Sequence, residues 1–227
     1  MSAVKRHTPD LDAGTRARLV DAAGKVFAES GYQGATVREI CALAGVNVAL
    51  VNYYFGDKLE LYAEVLRESI GSIKNEIKAL ESGLPPQQAV RDLIRATLQR
   101  IFRADRPGWH YQLMVHEMAQ PTPAMVNVIN ETMRPLYDRF RSLIGLMLAL
   151  PPDHDKVRLC THSVIAQVMH YSHSRYAISL LWPDLTMTPA RVEQIGDHVG
   201  AFSMAYLQQQ SVLQSREVTA VEAKETK

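Results

Sequence analysis

The stretch from Asn47 to Lys58, NVALVNYYFGDK, carries side chains whose chemistry suits the edges of DNA bases. The carboxamide of Asn52 can form two hydrogen bonds with adenine, and the methyl groups of Val48 or Ala49 can contact the methyl group of thymine. Such short side chains reach base edges when their helix lies in the major groove. The stretch is therefore interpreted as a recognition helix.

A second set of side chains suits the phosphates of a DNA backbone. The Tyr53 hydroxyl can donate to a phosphate, and Lys58 lies where its charge and the amides of a following helix can hold one phosphate together. Arg38 can reach a phosphate or a base edge; the alternative is an ordinary solvated surface arginine. Phosphate contacts fix the register of a protein on DNA, whereas the small exposed side chains supply sequence preference.

Two short helices are needed to position these groups. Thr36 and Glu39 have the spacing of a capping box, which predicts a helix that begins after Thr36 and stops at Gly45. Asn47 is a good N-cap for a third helix over Val48–Tyr53. The spacing of the apolar residues assigns the buried side and no DNA role to Ile40, Leu43, Val46, Leu50, Val51 and Phe55.

The remaining apolar residues recur at three- and four-residue spacing, which is typical of amphipathic helices. A first helix runs from Thr15 to Gly31, and a fourth has an apolar stripe that continues through Ile73, Ile77 and Leu80. The helix over 129–150 is expected to kink at Pro135. No segment alternates with period two over a convincing length, so the chain is predicted to be all-α, with about nine helices.

Composition narrows the class of protein without identifying it. The 227 residues are 47% hydrophobic and 22% charged, with a net charge of +1. Residues 1–62 contain seven Lys or Arg and seven Asp or Glu. Net charge therefore gives no independent support for binding nucleic acid, and the hypothesis depends on where the charges lie.

Several other classes are disfavoured. No run approaches the roughly 20 apolar residues of a membrane span, and the polar N-terminus lacks the apolar segment of a signal peptide. Cys41 and Cys160 fall in apolar helical patterns, which predicts buried free thiols in a reducing compartment. A cytoplasmic protein is expected. The chain has no GxSxG, P-loop, HExxH or dinucleotide-binding motif.

The residues described above resemble the TetR family of bacterial transcriptional regulators. The resemblance covers roughly residues 15–65 and rests on AAGKVFAESGYQGATVREIC, ALAGV and YYFGDKLELYAEVL. The recognition helix departs from the family pattern at Asn47–Asn52, because many relatives begin this helix with Ser and Gly. The operator sequence of a relative therefore cannot be transferred to this chain. The body is similar to the CecR (YbiH-like) subgroup through the run HEMAQPTPA (residues 116–124) and through Arg134-Pro135.

The resemblance implies an N-terminal three-helix helix-turn-helix DNA-binding domain over residues 1–60. It implies a C-terminal helical ligand-binding and dimerisation domain over 61–214, with a disordered tail over 215–227. In the family pattern the residue at Thr36 also meets a phosphate. The candidate DNA-binding residues are thus Thr36, Arg38, Asn47, Val48, Ala49, Asn52, Tyr53 and Lys58.

The family pattern also implies a homodimer built from two helices of each subunit. Apolar residues spaced alternately by three and four suit that role, the alternative being that they face the protein's own core. The expected interface residues are Val157, Thr161, Val164, Val168, Val192, Ile195, Val199, Phe202 and Tyr206. A two-fold dimer would place two recognition helices on a palindromic DNA operator.

A sensor pocket in the body should be mostly apolar with a few polar groups. The expected lining residues are Trp109, His110, Met114, Glu117, Met118, His170, His173 and Tyr176. His162, His170 and His173 lie within about 80° on a helical wheel. A metal site needs at least three converging ligands, and a polar helix face is the simpler interpretation, so neither a metal nor a cofactor is expected.

These observations favour a DNA-binding regulator, a repressor released from double-stranded DNA by a small-molecule effector of unknown identity. Two alternatives stay open at this point. One is a constitutive DNA-binding regulator without an effector, and the other is an enzyme that uses the histidine-rich helices.

Overall fold

A computed structural model describes the backbone of residues 9–71, 83–103 and 106–225. All regular structure in these ranges is helical, which confirms the predicted fold class. The helices are α1 (Pro9–Gly34), α2 (Val37–Ala44), α3 (Ala49–Phe55), α4 (Lys58–Ile70), α5 (Pro86–Ile101), α6 (Trp109–Ala119), α7 (Pro123–Val128), a π-helical segment (Ile129–Met133), α8 (Arg134–Leu148), α9 (Asp155–His173), α10 (Arg175–Leu181) and α11 (Pro189–Glu225).

By packing, the chain divides into two compact units that each combine distant segments. Unit 1 is Met1–Ser72 with Pro107–Thr132, and unit 2 is Ile73–Arg106 with Met133–Lys227. Helices α6 and α7 therefore pack with the N-terminal helices although they follow α5 in the chain. The linear division at residue 60 stays a prediction.

An aromatic cluster forms the centre of unit 1. Phe27 meets Tyr62 edge to face with ring centroids 4.7 Å apart, and the rings of Tyr32 and Tyr62 lie 5.0 Å apart. Such pairs stabilise a core beyond the area that they bury. Gly31, with φ 67°, ends the regular part of α1, as the sequence predicts, and the chain then turns towards α2.

Helix α6 packs closely on α1 because α1 has a glycine at the contact. A Cβ atom added to Gly24 would lie 2.5 Å from the indole ring of Trp109. The indole Nε1 of Trp109 donates a hydrogen bond to Asp21 Oδ1 at 3.2 Å. The contact fixes the first turn of α6 on α1.

The helix predicted over 129–150 begins with a π-helical segment. Pro135 has no N–H group to donate to the carbonyl four residues earlier, and the wider turn at Ile129–Met133 directly precedes α8, which has Pro135 in its first turn. The expected kink at Pro135 stays a prediction, and the irregularity that the structure describes beside it is this π segment. The chain passes from unit 1 to unit 2 there, between Thr132 and Met133.

Unit 2 packs α5 against α11 through two glycines one turn apart. A Cβ atom at Gly196 would lie 3.1 Å from Arg95 Cγ, and one at Gly200 would lie 3.4 Å from Arg91 Cγ. Arg95 Nε also donates to Asp197 Oδ1 at 2.6 Å. The two helices can approach because the aliphatic stems of the arginines cover the glycine positions.

Most of the expected dimer residues lie in the core of unit 2. This is a correction: the buried residues are Val157, Thr161, Val164, Val168, Val192, Ile195 and Val199. Regular three- and four-residue spacing identifies one face of a helix, but it does not say whether that face meets the same chain or a second copy. Phe202 and Tyr206 are exposed.

Two helix ends differ from the sequence predictions. Helix α4 stops at Ile70 because Gly71 takes φ 75°, and the expected continuation through Ile73, Ile77 and Leu80 lies outside the described residues. At the other end, α11 continues to Glu225 where a disordered tail from residue 215 was expected. A search of the described residues finds no helix with the length and apolar character of a membrane span.

Candidate nucleic-acid interface

The predicted capping box at the start of α2 is present. The Thr36 hydroxyl oxygen accepts from the Glu39 amide at 3.2 Å, and Glu39 Oε2 accepts from the Thr36 amide at 3.0 Å. The Thr36 hydroxyl also donates to Glu39 Oε2 at 2.8 Å. Thr36 is exposed, so its hydroxyl can still donate to a phosphate. To do so it must give up its hydrogen bond to Glu39 Oε2.

A left-handed glycine forms the turn between α2 and α3. Gly45 has φ 66° and ψ 40°, and its amide donates to the carbonyls of Cys41 and Ala42. The Val46 amide donates to the Cys41 carbonyl at 3.0 Å. Residues with a Cβ atom rarely adopt this conformation, so Gly45 sets the angle at which α3 leaves α2.

Helix α3 is positioned by one buried residue and one side-chain cap. Val51 is fully buried in the core of unit 1. The Asn47 side chain accepts from the Ala49 amide at 2.8 Å, and the helix begins at Ala49, one residue later than predicted. With this boundary the N-cap residue is Val48 instead of Asn47, and the Asn47 side chain satisfies the first helical amide from one position earlier.

The outward face of α3 contains the residues expected to meet DNA bases. Val48 is 42% exposed and Tyr53 is 66% exposed, and Asn47, Ala49 and Asn52 are also exposed. Residues 47–56 include no charged side chain. The face can thus offer amide, hydroxyl and methyl groups to a base edge.

Leu43 is not part of the core, and its predicted burial is wrong. Its side chain is 56% exposed, whereas Ile40, Cys41 and Ala44 form the buried arc of α2. An eight-residue helix buries only a narrow arc, and Leu43 lies on the opposite side of Ile40 from Cys41. Val46, Leu50 and Phe55 pack against the core of unit 1 as partly buried residues.

The two candidate phosphate-binding cations have different surroundings. Arg38 is an exposed residue in the first turn of α2. Lys58 Nζ lies 4.5 Å from the centroid of the Tyr32 ring, a contact that favours an ammonium position over that ring. The neighbouring Asp57 side chain accepts from the Glu60 amide at 2.9 Å. A phosphate at the start of α4 therefore meets the charge of Lys58 together with the opposing charge of Asp57.

Glu117, expected in a sensor pocket, has a different environment. It is only 1% exposed, and Glu117 Oε2 accepts from the Tyr62 hydroxyl at 2.7 Å. Glu117 Oε1 accepts from the Thr122 amide at 2.7 Å and from the Thr122 hydroxyl at 3.0 Å. Because these oxygens are used internally, Glu117 joins α4 and α6 to the start of α7 and is not a ligand-facing group.

The other expected pocket residues divide between the two units. Trp109 and His110 are buried in unit 1, Met114 packs at the edge of its core and Met118 is 55% exposed. His170, His173 and Tyr176 belong to unit 2 and are exposed.

An open cleft of about 640 Å³ lies between α1 and α6 in unit 1. Trp109 and His116, both candidates for a sensor pocket, are among its lining residues, and Lys25, Glu29 and Tyr111 also line it. Lys25 and Glu29 lie on the polar side of α1 in the sequence pattern, so only the docking of α6 on α1 reveals the cleft.

The histidine-rich face of α9 carries His162, His170 and His173. In the part of the chain that the structure describes, no three His, Cys, Asp or Glu residues form a group that could hold a metal ion. His162 instead lies near Tyr137, with 3.4 Å between His162 Nε2 and the Tyr137 hydroxyl.

Comparison with protein-family models gives two matches in chain order. Residues 19–65 match the model described as bacterial regulatory proteins, tetR family. Residues 86–208 match the C-terminal domain of the HTH-type transcriptional dual regulator CecR.

Two curated relatives illustrate the similarity. The HTH-type transcriptional regulator BetI of Rhizobium meliloti is 36% identical over 92 residues, which are 40% of this chain and 43% of BetI. The HTH-type transcriptional dual regulator CecR of Shigella flexneri is 28% identical over 174 residues, 72% of this chain and 78% of CecR. The match to BetI thus spans less than half of that relative's length.

A similar fold occurs among solved structures. The transcriptional regulator FadR from Bacillus subtilis, solved in complex with stearoyl-CoA, superposes with a TM-score of 0.62 at 16% identity, covering 82% of this chain and 96% of that one. At this identity the likeness concerns the fold alone.

Proposed function

The chain belongs to the TetR family of bacterial regulatory proteins, with a C-terminal domain of the CecR type, and from this we propose that it is a homodimeric repressor of transcription. In this proposal it binds a palindromic operator in the cytoplasm and is released by a small-molecule effector. The family and the curated relatives are regulators, not enzymes, so the histidine-rich helices are not assigned an active site.

The observation that carries the DNA-binding proposal is the construction of α2 and α3. The capping box and Gly45 fix α2 relative to α3, and buried Val51 fixes which side of α3 faces away from the core. The resulting outward face carries Asn52 and the methyl groups of Val48 and Ala49. These are groups that can discriminate base pairs in a major groove.

For the dimer we propose the exposed sides of α9 and α11 in place of the buried ones. On α9 an exposed stripe includes Leu159, which is 69% exposed, with Ala166 and His170 further along the helix. On α11 the exposed stripe consists of His198, Phe202, Ala205, Gln209 and Val212, spaced alternately by four and three. Narrow seams with this spacing suit a four-helix bundle formed by two copies.

We place the coupling between effector and DNA on α4. Three contacts hold this helix within unit 1: Arg16 with Glu64 at 2.5 Å, Tyr62 with Glu117, and Arg67 with Glu131 at 2.7 Å. Glu131 lies in the π-helical segment where the chain passes into unit 2. An effector regulates DNA binding only if it binds the operator-competent and the released states with different affinities.

The test of DNA binding is a mobility-shift titration of the full-length protein on the DNA beside its own gene. If Arg38 and Lys58 of both subunits contact phosphates, four cations are involved, and affinity should fall about 100-fold between 50 and 200 mM salt. Asn52→Ala should weaken specific binding by about tenfold, whereas Gln87→Ala, an exposed change on α5, should leave it unchanged.

Binding that does not depend on salt, or equal weakening by both variants, would contradict the proposed interface. Effector dependence is a separate measurement. The compounds to test are the substrates and products of the proteins that the neighbouring genes encode. If none of them changes operator binding, the result would support a constitutive regulator instead.

A further inference from the structure

The outward face of α3 offers an unusual choice of groups for reading DNA. Residues 47–56 contain no Arg or Lys, the side chains that most often recognise guanine, and no Asp or Glu, which accept from cytosine. The exposed positions instead hold two carboxamides, one hydroxyl and the methyl groups of Val48 and Ala49. This composition suits adenine and thymine better than guanine and cytosine.

The structure distinguishes the two asparagines. Asn47 Oδ1 accepts from the Ala49 amide at 2.8 Å, so the outward part of that side chain is an N–H donor. Asn52 has no side-chain hydrogen bond to any described residue, so both its oxygen and its nitrogen are available. Recognition of adenine through N6 and N7 requires one acceptor and one donor, and Asn52 presents both without giving up a hydrogen bond within the chain, whereas the Asn47 oxygen is already engaged by the Ala49 amide.

The spacing along α3 places the methyl groups beside this amide. Ala49 and Asn52 are three residues apart, a rise of about 4.5 Å along the helix axis. Successive base pairs are about 3.4 Å apart, so the two side chains meet base pairs that are one or two steps apart. A single turn of α3 can therefore read an adenine and a nearby thymine methyl together.

Resting on the proposed function, we propose that α3 contacts a run of two or three A·T base pairs in each operator half-site. In this run Asn52 reads an adenine through N6 and N7, and Val48 or Ala49 reads a thymine through its C5-methyl group. Arg38 lies on α2 and contributes at the edge of the half-site, so a G·C pair there is compatible with the proposal.

The first test is selection of duplexes from a random library by the full-length protein. The expected motif is a palindrome whose half-sites each contain the A·T run. In selection with Asn52→Ala, the preference for adenine should disappear at one position of each half-site and remain elsewhere. A motif with G·C pairs at the position that Asn52→Ala relaxes would overturn the inference.

The second test uses base analogues in the selected operator. Replacing the contacted adenine by 7-deazaadenine removes N7 and should weaken binding by the wild type about tenfold, with little further loss for Asn52→Ala. Replacing the thymine by uracil should weaken DNA binding by the wild type more than it weakens binding by Val48→Ala or Ala49→Gly. Equal losses in wild type and variants would show that these side chains do not read those atoms.

The outcomes separate this inference from the proposed function. Selection of a motif without the A·T run would defeat the inference and leave a DNA-binding regulator in place. Failure to enrich any motif, with the protein folded and dimeric, would defeat both.

Discussion

The buried carboxylate of Glu117 shows how one residue joins three helices of unit 1. The Tyr62 hydroxyl on α4 donates to it, and the amide and hydroxyl of Thr122 donate to its other oxygen. Burial, together with the hydrogen bond to Glu117, raises the pKa of Tyr62 above its ordinary value. The hydroxyl therefore stays protonated and remains a donor throughout the neutral range.

Removing that hydroxyl should destabilise the protein. In Tyr62→Phe, a buried carboxylate oxygen loses its partner, which typically costs about 1–3 kcal/mol of unfolding free energy. Tyr53→Phe removes an exposed hydroxyl and should change stability by less than about 0.5 kcal/mol. Urea unfolding of the two variants measures the difference, and equal midpoints would contradict the role assigned to the Tyr62–Glu117 bond.

The two cysteines carry a second prediction at this scale. Cys41 and Cys160 are free and buried, as expected from the sequence, and burial raises the pKa of both thiols. The thiolate is the reactive form, so both should react with a thiol reagent at pH 8 far more slowly in the folded protein than in urea. Rapid modification of either one without urea would place it at the surface.

At the scale of elements, the contact between α1 and α6 depends on the absence of a side chain at one position. Gly24 lies beneath the Trp109 indole, and the hydrogen bond from Trp109 to Asp21 fixes the ring there. This contact also forms one side of the cleft between the two helices.

Gly24→Ala should displace α6 from α1. The added methyl would lie 2.5 Å from ring atoms, a clash that typically costs about 1–3 kcal/mol even though alanine favours a helix. Gly14→Ala is the matched control, because no heavy atom lies within 4 Å of its added Cβ and the same gain in helix propensity applies. Thermal unfolding should give a lower midpoint for Gly24→Ala and an equal or higher one for Gly14→Ala; the reverse order would refute the contact.

At the scale of the whole molecule, the proposed dimer uses the exposed sides of helices whose other sides form the core of unit 2. Val199 is buried in that core, whereas Phe202, less than one turn later on α11, is 64% exposed. The same helix thus contributes to the stability of one chain and, in the proposal, to the association of two.

These contributions can be separated by mutation. Phe202→Glu should raise the dimer dissociation constant at least tenfold with little change in the stability of the chain. Val199→Ala should lower stability by about 0.5–2 kcal/mol and leave association unchanged. Leu146→Glu, at a 69% exposed position on α8, controls for a new surface charge. Sedimentation velocity measures dimer dissociation in all three variants, and urea unfolding measures their stability. An undisturbed dimer in Phe202→Glu would rule out this face.

Four features follow from the sequence alone: the helical class, the capping box at Thr36, the turn at Gly45 and the outward position of Asn52. These features depend on interactions between residues that are near in the chain, which spacing and residue type predict directly. The sequence also pointed to Pro135 as the place where this helix departs from regular geometry, because the missing amide is a local property, and a π-helical segment directly precedes that turn.

The neighbours of those helices, in contrast, are known only from the packing of the folded chain. The three- and four-residue spacing on α9 and α11 identified an apolar face, but packing placed that face in the core of unit 2. Leu43 is exposed because the partners of α2 cover only one arc, and Glu117 is buried because Tyr62 and Thr122 supply its hydrogen bonds. Each outcome depends on contacts between residues distant in sequence, and a helical period carries no information about the identity of such partners.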